Sequence, residues 1–195
     1  MKRRDMLFII FVVLAGLLFF SFNYYHQSKI NYFYSLDPFF HYYLSEEIVD
    51  KGFDIKHLEW CVDDYSVQYP SLLRIFLSFL SLIFGNGLVF LYKYSGSVFT
   101  FGAIIFLSLG IRRLVDKTSA ALLTFFLAVS LTYVMWRSLI TYPENMALFM
   151  MAGLFYSFTI RDMYLNGLFF LALSYIHLPS FFICLLYTSP SPRDS

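Results

Sequence analysis

The chain has 195 residues, of which 59% are hydrophobic and 14% are charged, and its mean hydropathy is +0.65. An ordinary soluble domain is about 45–50% apolar and about 25% charged, so this chain has more apolar surface than one core can hide. Its net charge of +1, without a basic stripe, argues against nucleic-acid binding. The composition predicts an integral membrane protein that has lipid as a partner.

The first apolar segment follows basic residues at positions 2–4 and runs from residue 6 to residue 22 without a charge. With the next three residues it reaches the roughly 20 residues that cross about 30 Å of hydrocarbon. A cleaved signal peptide would have a shorter apolar core followed by small residues, whereas this segment ends at Tyr24 and Tyr25. We therefore predict an uncleaved first transmembrane helix with its N-terminus in the cytoplasm.

The next segment, residues 36–68, is acidic, with eight acids against two lysines. Asp37-Pro38 is typical of a helix start, and Gly52 is typical of a helix end. Between them, apolar residues recur at helical spacing and acids occupy the other side: Phe39, Phe40, Tyr43, Leu44, Ile48 and Val49 against Glu46, Glu47 and Asp50. This pattern predicts a surface helix resting on the membrane, and a solvated loop is the alternative.

The remaining chain contains one short and four long apolar segments. Residues 71–84 are too few to span and carry Arg74, which favours an interfacial or re-entrant helix. Transmembrane helices are predicted over residues 88–111, 119–136, 142–160 and 163–183.

The basic clusters decide between two topologies. If residues 71–84 do not span, the clusters at 2–4 and 112–117 and Arg161 all face the cytoplasm, as the positive-inside rule requires. If they do span, the 112–117 cluster lies outside. The first solution predicts an all-α polytopic protein with about five transmembrane helices. An external loop, about residues 26–87, then carries the amphipathic or juxtamembrane helices between the first and second spans.

In this topology four ionisable residues from distant segments fall at the outer face: Asp37, Arg137, Glu144 and His177. Each alone has a structural explanation, since an arginine can extend to the interface, an acid can cap a helix and a histidine can satisfy a hydrogen bond. Their convergence predicts a site, because ionisable groups at a membrane are costly. Asp37 could act there as a general base or as a metal ligand, and Arg137 could bind a phosphate.

Three short motifs carry a family resemblance. Leu-Asp-Pro-Phe-Phe-His-Tyr at residues 36–42 is similar to the Asp-Pro-aromatic-aromatic-His/Asn-Tyr pattern of oligosaccharyltransferase catalytic subunits. Tyr-Pro-Ser-Leu-Leu at 69–73 resembles the entry to a juxtamembrane helix, and residues 136–149 resemble a motif in which an acid opens a helix at the active site. Over residues 1–183 the chain thus resembles the N-terminal part of the GT-C superfamily of membrane glycosyltransferases, which use polyprenyl-phosphate-linked sugars.

The resemblance implies transfer of a sugar from a polyprenyl-phosphate donor to an unknown acceptor at the external face. Asp37 would be the general base and Glu144 would assist it. The residues implied in substrate binding are His41, Arg137, Tyr142 and His177.

The motifs also depart from the oligosaccharyltransferase pattern. Tyr43 stands where those enzymes carry arginine, and Pro143-Glu144-Asn145 lacks an acid-x-acid pair. These departures favour a metal-independent monosaccharide transferase over a metal-dependent oligosaccharyltransferase, in which Asp37 and Glu144 would bind Mg²⁺ or Mn²⁺. A membrane scaffold and a transporter are the non-enzymatic alternatives; a transporter should have charges near the midplane and repeated halves.

Residues 184–195 resemble the translated reading frame of a sequencing-library adapter, so we expect them not to be native. A native polar tail is the alternative. We accordingly expect residues 1–183 to be a truncated GT-C-like region that is inactive by itself.

Overall fold

The computed structural model describes residues 3–29, 36–52, 72–84, 87–115, 118–130 and 143–176. Within these ranges every regular element is an α-helix, which confirms the all-α prediction for this part of the chain. The helices are α1 (Arg3–Gln27), α2 (Leu36–Asp50), α3 (Leu72–Phe84), α4 (Leu88–Val115), α5 (Thr118–Ser130), α6 (Pro143–Ile160) and α7 (Met163–Ile176).

The helix of the predicted external loop, α2, has the expected ends. It begins at Leu36, so Asp37 lies in its first turn, and Gly52 follows it with a φ of +61°. A positive φ costs glycine little because it has no Cβ, and it closes the helix after Asp50.

The turn between α6 and α7 is short and closed by hydrogen bonds. Arg161 has a φ of +57° and donates its N–H to the carbonyl of Phe158 at 3.1 Å, while the N–H of Asp162 donates to the carbonyl of Ser157 at 3.1 Å. The Asp162 carboxylate then accepts from the backbone N–H of Leu165 at 3.0 Å and caps α7. This two-residue connection makes α6 and α7 an antiparallel pair.

Contacts at both ends of α1 show that it runs antiparallel to α4. The guanidinium of Arg112, near the end of α4, forms an ion pair with Asp5, near the start of α1. At the other end, the rings of Tyr24 and Tyr94 stack with 6.5 Å between centroids.

Helix α6 runs parallel to α4. Asn145 donates a hydrogen bond to Thr100, and ten residues further along each helix Phe155 lies against Gly110. Because α4 and α6 therefore finish at the same end of the bundle, Arg161 lies at the end where Asp5 and Arg112 meet. We call this the basic end.

Among the described helices, two are long and apolar enough to cross a bilayer, over Asp5–Gln27 and Val89–Val115. The exposed face of the first is apolar over most of its length, where it shows Met6, Leu7, Ile9, Ile10, Val13, Leu14, Leu17 and Leu18. An apolar surface of this extent is unusual for a protein dissolved in water, so the two helices favour association with a membrane.

The close approach of α4 and α6 predicts the effect of a methyl group at Gly110. A Cβ there would lie 2.5 Å from Cε1 of the Phe155 ring. We expect Gly110→Ala to lower the free energy of unfolding by about 1–3 kcal/mol, because the ring has to shift in a packed interface. Thermal unfolding of the purified protein in detergent measures this change in the free energy of unfolding.

The matched control is Gly167→Ala in α7, where a Cβ would meet no atom within 4 Å. Alanine is the better helix former, so this variant should be more stable by about 0.5–1 kcal/mol. Equal stabilisation by both substitutions would contradict the close α4–α6 contact.

Candidate functional site

Helix α3 turns its polar side chains inward. Arg74, Ser78 and Ser81 are buried, and only 1% of Arg74 is exposed. The exposed side chains of α3 are instead apolar: Phe76, Phe79, Leu82, Ile83 and Phe84. Because a charged side chain is almost never fully buried without partners, the burial of Arg74 implies polar partners on the neighbouring helices.

Five buried residues from three helices form a hydrogen-bonded group, which we call the His41 cluster: His41, Ser45, Arg74, Ser78 and Tyr92. Nε of Arg74 donates to Nδ1 of His41 at 3.1 Å. The Tyr92 hydroxyl donates to the His41 carbonyl at 2.8 Å and lies 2.6 Å from Oγ of Ser45. The Ser78 hydroxyl donates to the Ser45 carbonyl at 2.9 Å. The cluster therefore ties α2 to both α3 and α4.

The hydroxyls of Ser45 and Tyr92 have two consistent arrangements of their protons. Each has one proton, and Oγ of Ser45 is also 2.9 Å from the His41 carbonyl. Either Tyr92 donates to that carbonyl and accepts from Ser45, or Ser45 donates to the carbonyl and accepts from Tyr92. Both arrangements leave each hydroxyl proton bonded, so the connection between α2 and α4 holds in either one.

The imidazole of His41 is neutral in this setting. Burial lowers the pKa of His41 to about 3, and the positive charge of Arg74 contributes to the same shift. Since Nδ1 accepts from Arg74, the proton of the neutral ring is on Nε2. His41 can therefore fix the orientation of the guanidinium without adding a second positive charge.

A second buried polar contact joins α4 to α6. Nδ2 of Asn145 donates to Oγ1 of Thr100 at 3.1 Å, and Oγ1 of Thr100 donates to the carbonyl of Gly96 at 2.8 Å. Asn145 is 3% exposed and follows the half-buried Glu144 in the first turn of α6. The start of α6 is thus held against the first half of α4.

One apolar cluster borders both polar contacts. It contains Leu73, Leu77, Tyr92, Phe99, Met146, Ala147, Leu173 and Ile176. Leu73 precedes Arg74 in the sequence and Met146 follows Asn145. The cluster consequently brings α3, the first half of α4, the start of α6 and the end of α7 to the same region, away from the basic end.

The structure describes the side chains of two predicted site residues: His41 lies in the His41 cluster, and Glu144 directly precedes the buried Asn145 at the start of α6. Asp37 lies in the first turn of α2, one turn before His41, and its side chain is outside the described part. Also outside the described residues are Arg137, Tyr142 and His177 and the segment 184–195. Substrate binding by His41 and metal binding by Asp37 and Glu144 remain predictions.

The structure corrects the predicted buried face of α2. His41, Leu44, Ser45 and Ile48 are buried, and Tyr43, which was assigned to the apolar face, is 39% exposed. These four positions are spaced three, four and seven apart, so they share one helix face. That face packs against α3 and α4, where His41 and Ser45 find hydrogen-bond partners. Whether another side of α2 rests on the membrane stays a prediction.

Sequence reasoning did not include Arg74 and Tyr92 among the candidate site residues. A signal for Arg74 was present, since it is the only charge in residues 71–84 and Ser78 and Ser81 follow it at helical spacing. Such a polar stripe on an apolar helix indicates a face that avoids lipid. Tyr92 had no comparable signal because its partners are 47 and 51 residues away.

No protein family, curated protein or solved structure shows a match to this chain. The resemblance to GT-C glycosyltransferases accordingly depends on the motifs alone. A function for the chain has to be argued from the placement of its own residues.

Removing the Tyr92 hydroxyl should loosen the contact between α2 and α4. We expect Tyr92→Phe to lower the free energy of unfolding by about 1–3 kcal/mol, since a buried carbonyl and a buried serine lose a partner. Thermal unfolding in detergent provides the measurement.

Tyr94→Phe on the same helix is the control. The recorded contacts of Tyr94 are with the rings of Tyr24 and Phe90, and phenylalanine retains a ring for both. Its stability should therefore stay within about 0.5 kcal/mol of the parent protein. A Tyr92→Phe variant as stable as Tyr94→Phe would show that the hydroxyl does not anchor α2.

The lowered pKa of His41 predicts a loss of stability in acid. Between about pH 6.5 and about pH 3 the unfolded chain binds a proton at this histidine and the folded chain does not, so stability falls as pH falls through that window. The loss from about pH 7.5 to about pH 5 should be about 2 kcal/mol.

His41→Asn is the matched variant for this test, because it keeps an acceptor for Arg74 and cannot titrate. Its stability difference between the two pH values should be smaller than that of the parent by about 2 kcal/mol. The same pH dependence in both proteins would mean that His41 is not a buried neutral histidine.

Proposed function

We propose that this chain is the membrane region of a glycosyltransferase that moves a sugar from a polyprenyl-phosphate donor to an acceptor at the external face of a bilayer. In this proposal α1, α4, α5, α6 and α7 belong to the five transmembrane segments, and α2 and α3 form the external, membrane-associated part. The N-terminus is cytoplasmic.

The distribution of charge supports this orientation. Arg112 and Arg161 lie at the basic end, and residues 2–4 adjoin it at the start of α1. The positive-inside rule assigns such an end to the cytoplasm. Helix α2 and the start of α6 lie away from the basic end, so Asp37 and Glu144 are external in the proposed orientation.

The observation that carries the proposal is the burial of the hydrogen-bonded His41 cluster, which includes the charged Arg74, in the half of the bundle away from the basic end. Arg74 is 1% exposed and is held by His41, in the helix whose first turn carries Asp37. Ionisable groups inside a membrane bundle are expensive and usually mark a functional site. The proposed active site therefore lies where α2, α3, α4 and α6 meet.

The proposed reaction requires one base. Asp37 takes the proton of an acceptor hydroxyl, whose oxygen attacks the anomeric carbon of the donor sugar. The bond from that carbon to the phosphate oxygen breaks, and polyprenyl phosphate leaves with the electron pair. Glu144 assists, while Arg137 and His177 bind phosphate or sugar, with His41 and Tyr142 contributing to substrate binding. In the metal-dependent alternative, Asp37 and Glu144 would hold Mg²⁺ or Mn²⁺, whose charge would offset that of the leaving phosphate.

Asp37→Asn tests the proposal, because an amide cannot accept the acceptor's proton. In the full-length protein we expect it to reduce transfer of a labelled sugar from a lipid-linked donor by about 100-fold or more. Membrane insertion should be unchanged. The rate of label transfer in proteoliposomes and the yield in the membrane fraction are the two measurements.

Asp50→Asn is the control, since Asp50 is an exposed acid at the far end of the same helix. This variant should keep its activity. Retained activity in Asp37→Asn would remove Asp37 from the mechanism. A parent protein that never consumes the lipid-linked donor would overturn the glycosyltransferase proposal and favour a scaffold.

A further inference from the structure

We propose that the outward face of α3 is immersed in the hydrocarbon of the bilayer and packs against acyl chains. The face consists of Phe76, Phe79, Leu82, Ile83 and Phe84, which we call the α3 outer face. The inference rests on the membrane location in the proposed function and does not depend on sugar transfer.

The two sides of α3 have the polarity expected in lipid. Phe79 is 55% exposed and Ile83 is 62% exposed, whereas Arg74, Ser78 and Ser81 are buried against the rest of the bundle. A helix at a water surface shows the reverse arrangement, with its apolar stripe inside and its polar residues outside. The burial of Arg74 is favourable when the outer side of the helix meets hydrocarbon, because the charge then avoids lipid.

The α3 outer face continues the apolar surface of a helix that is long enough to cross a bilayer. The ring of Phe76 lies 6.2 Å from that of Phe99 in α4, and the neighbouring Val98 is exposed. Helix α3 also contacts α7, which exposes Leu168 and Leu171. Acyl chains that surround α4 and α7 would therefore also reach α3, which contacts both.

The length of α3 limits how far it enters the membrane. Its 13 residues measure about 20 Å, which is less than the roughly 30 Å of hydrocarbon. Its neighbour α2 exposes Glu46 and Asp50, as a helix in contact with water would. The His41 cluster therefore lies between a water-facing helix and a lipid-facing helix. A lipid-linked donor could place its chain along α3 and its phosphate near the start of α2.

Spin labels on single cysteines test this surface directly. Phe79→Cys and Ile83→Cys would be made separately in the chain with Cys61 and Cys184 replaced by serine, and reconstituted in phosphatidylcholine vesicles. Power saturation in the presence of oxygen or a water-soluble nickel chelate then reports which medium surrounds the label. We expect both labels to collide with oxygen at least about three times more effectively than with nickel.

Three controls calibrate the result. Leu14→Cys on the exposed side of α1 gives the lipid reference, Glu46→Cys on α2 gives the water reference, and Ser78→Cys on the inner side of α3 should be shielded from both probes. Only variants that elute with the parent protein in size-exclusion chromatography are compared. Leu82→Cys replaces either α3 variant that fails this criterion.

The outcomes separate the inference from the proposed function. Nickel accessibility at positions 79 and 83 would place the α3 outer face in water, and low accessibility to both probes would mean that protein covers it; either result overturns the inference. If Leu14 also lacks oxygen accessibility, the membrane location itself fails. Lipid exposure at Leu14 without lipid exposure on α3 would leave the membrane location intact.

Discussion

The hydrogen bond between Arg74 and His41 is the constraint on which the arrangement of this end of the bundle depends. An arginine keeps its charge at any accessible pH, so α3 has to hold Arg74 next to polar groups wherever the helix lies. His41 meets this demand as a neutral acceptor, since its pKa is lowered to about 3. A rotation that released Arg74 from α2 would also turn Phe79 inward, toward the polar groups of the His41 cluster. The hydrogen bond of Arg74 and the outward position of Phe79 therefore require the same orientation of α3.

Helix α4 contacts α2 and α6, and its two halves pack in different ways. In the first half, Tyr92 donates a buried hydrogen bond to α2, and Thr100 accepts one from α6. In the second half, Gly110 lets the ring of Phe155 approach closely and Phe106 packs between aromatic rings. The hydrogen bonds fix the rotation and register of the neighbouring helices relative to α4, whereas the ring contacts near glycine set the distance between α4 and α6. The hydrogen bonds that join α4 to α2 and α6 thus lie in its first half, near the starts of those two helices.

The sequence predicted the helices well because their signals are local. Asp37-Pro38 and Gly52 delimit α2, and uncharged runs identify the longer helices. Helix α4 nevertheless continues to Val115, past the predicted end at Ile111, since arginines are favourable in a last turn and Arg112 also pairs with Asp5. The buried face of α2 could not be predicted in the same way. A binary pattern assigns His41 and Ser45 to the solvent, and the partners that allow their burial are 33 to 51 residues away.

The same long-range contacts bear on how two acids could act together. Asp37 lies one turn before His41, and Glu144 directly precedes Asn145, so each acid is close in sequence to a buried polar side chain that anchors its helix to the bundle. An anchored helix start holds a catalytic group more precisely than a free loop, and a base that is misplaced by about 1 Å can lose about 100-fold in rate. Both acids therefore lie beside buried polar contacts that fix the position of their helices, which suits the roles proposed for Asp37 and Glu144.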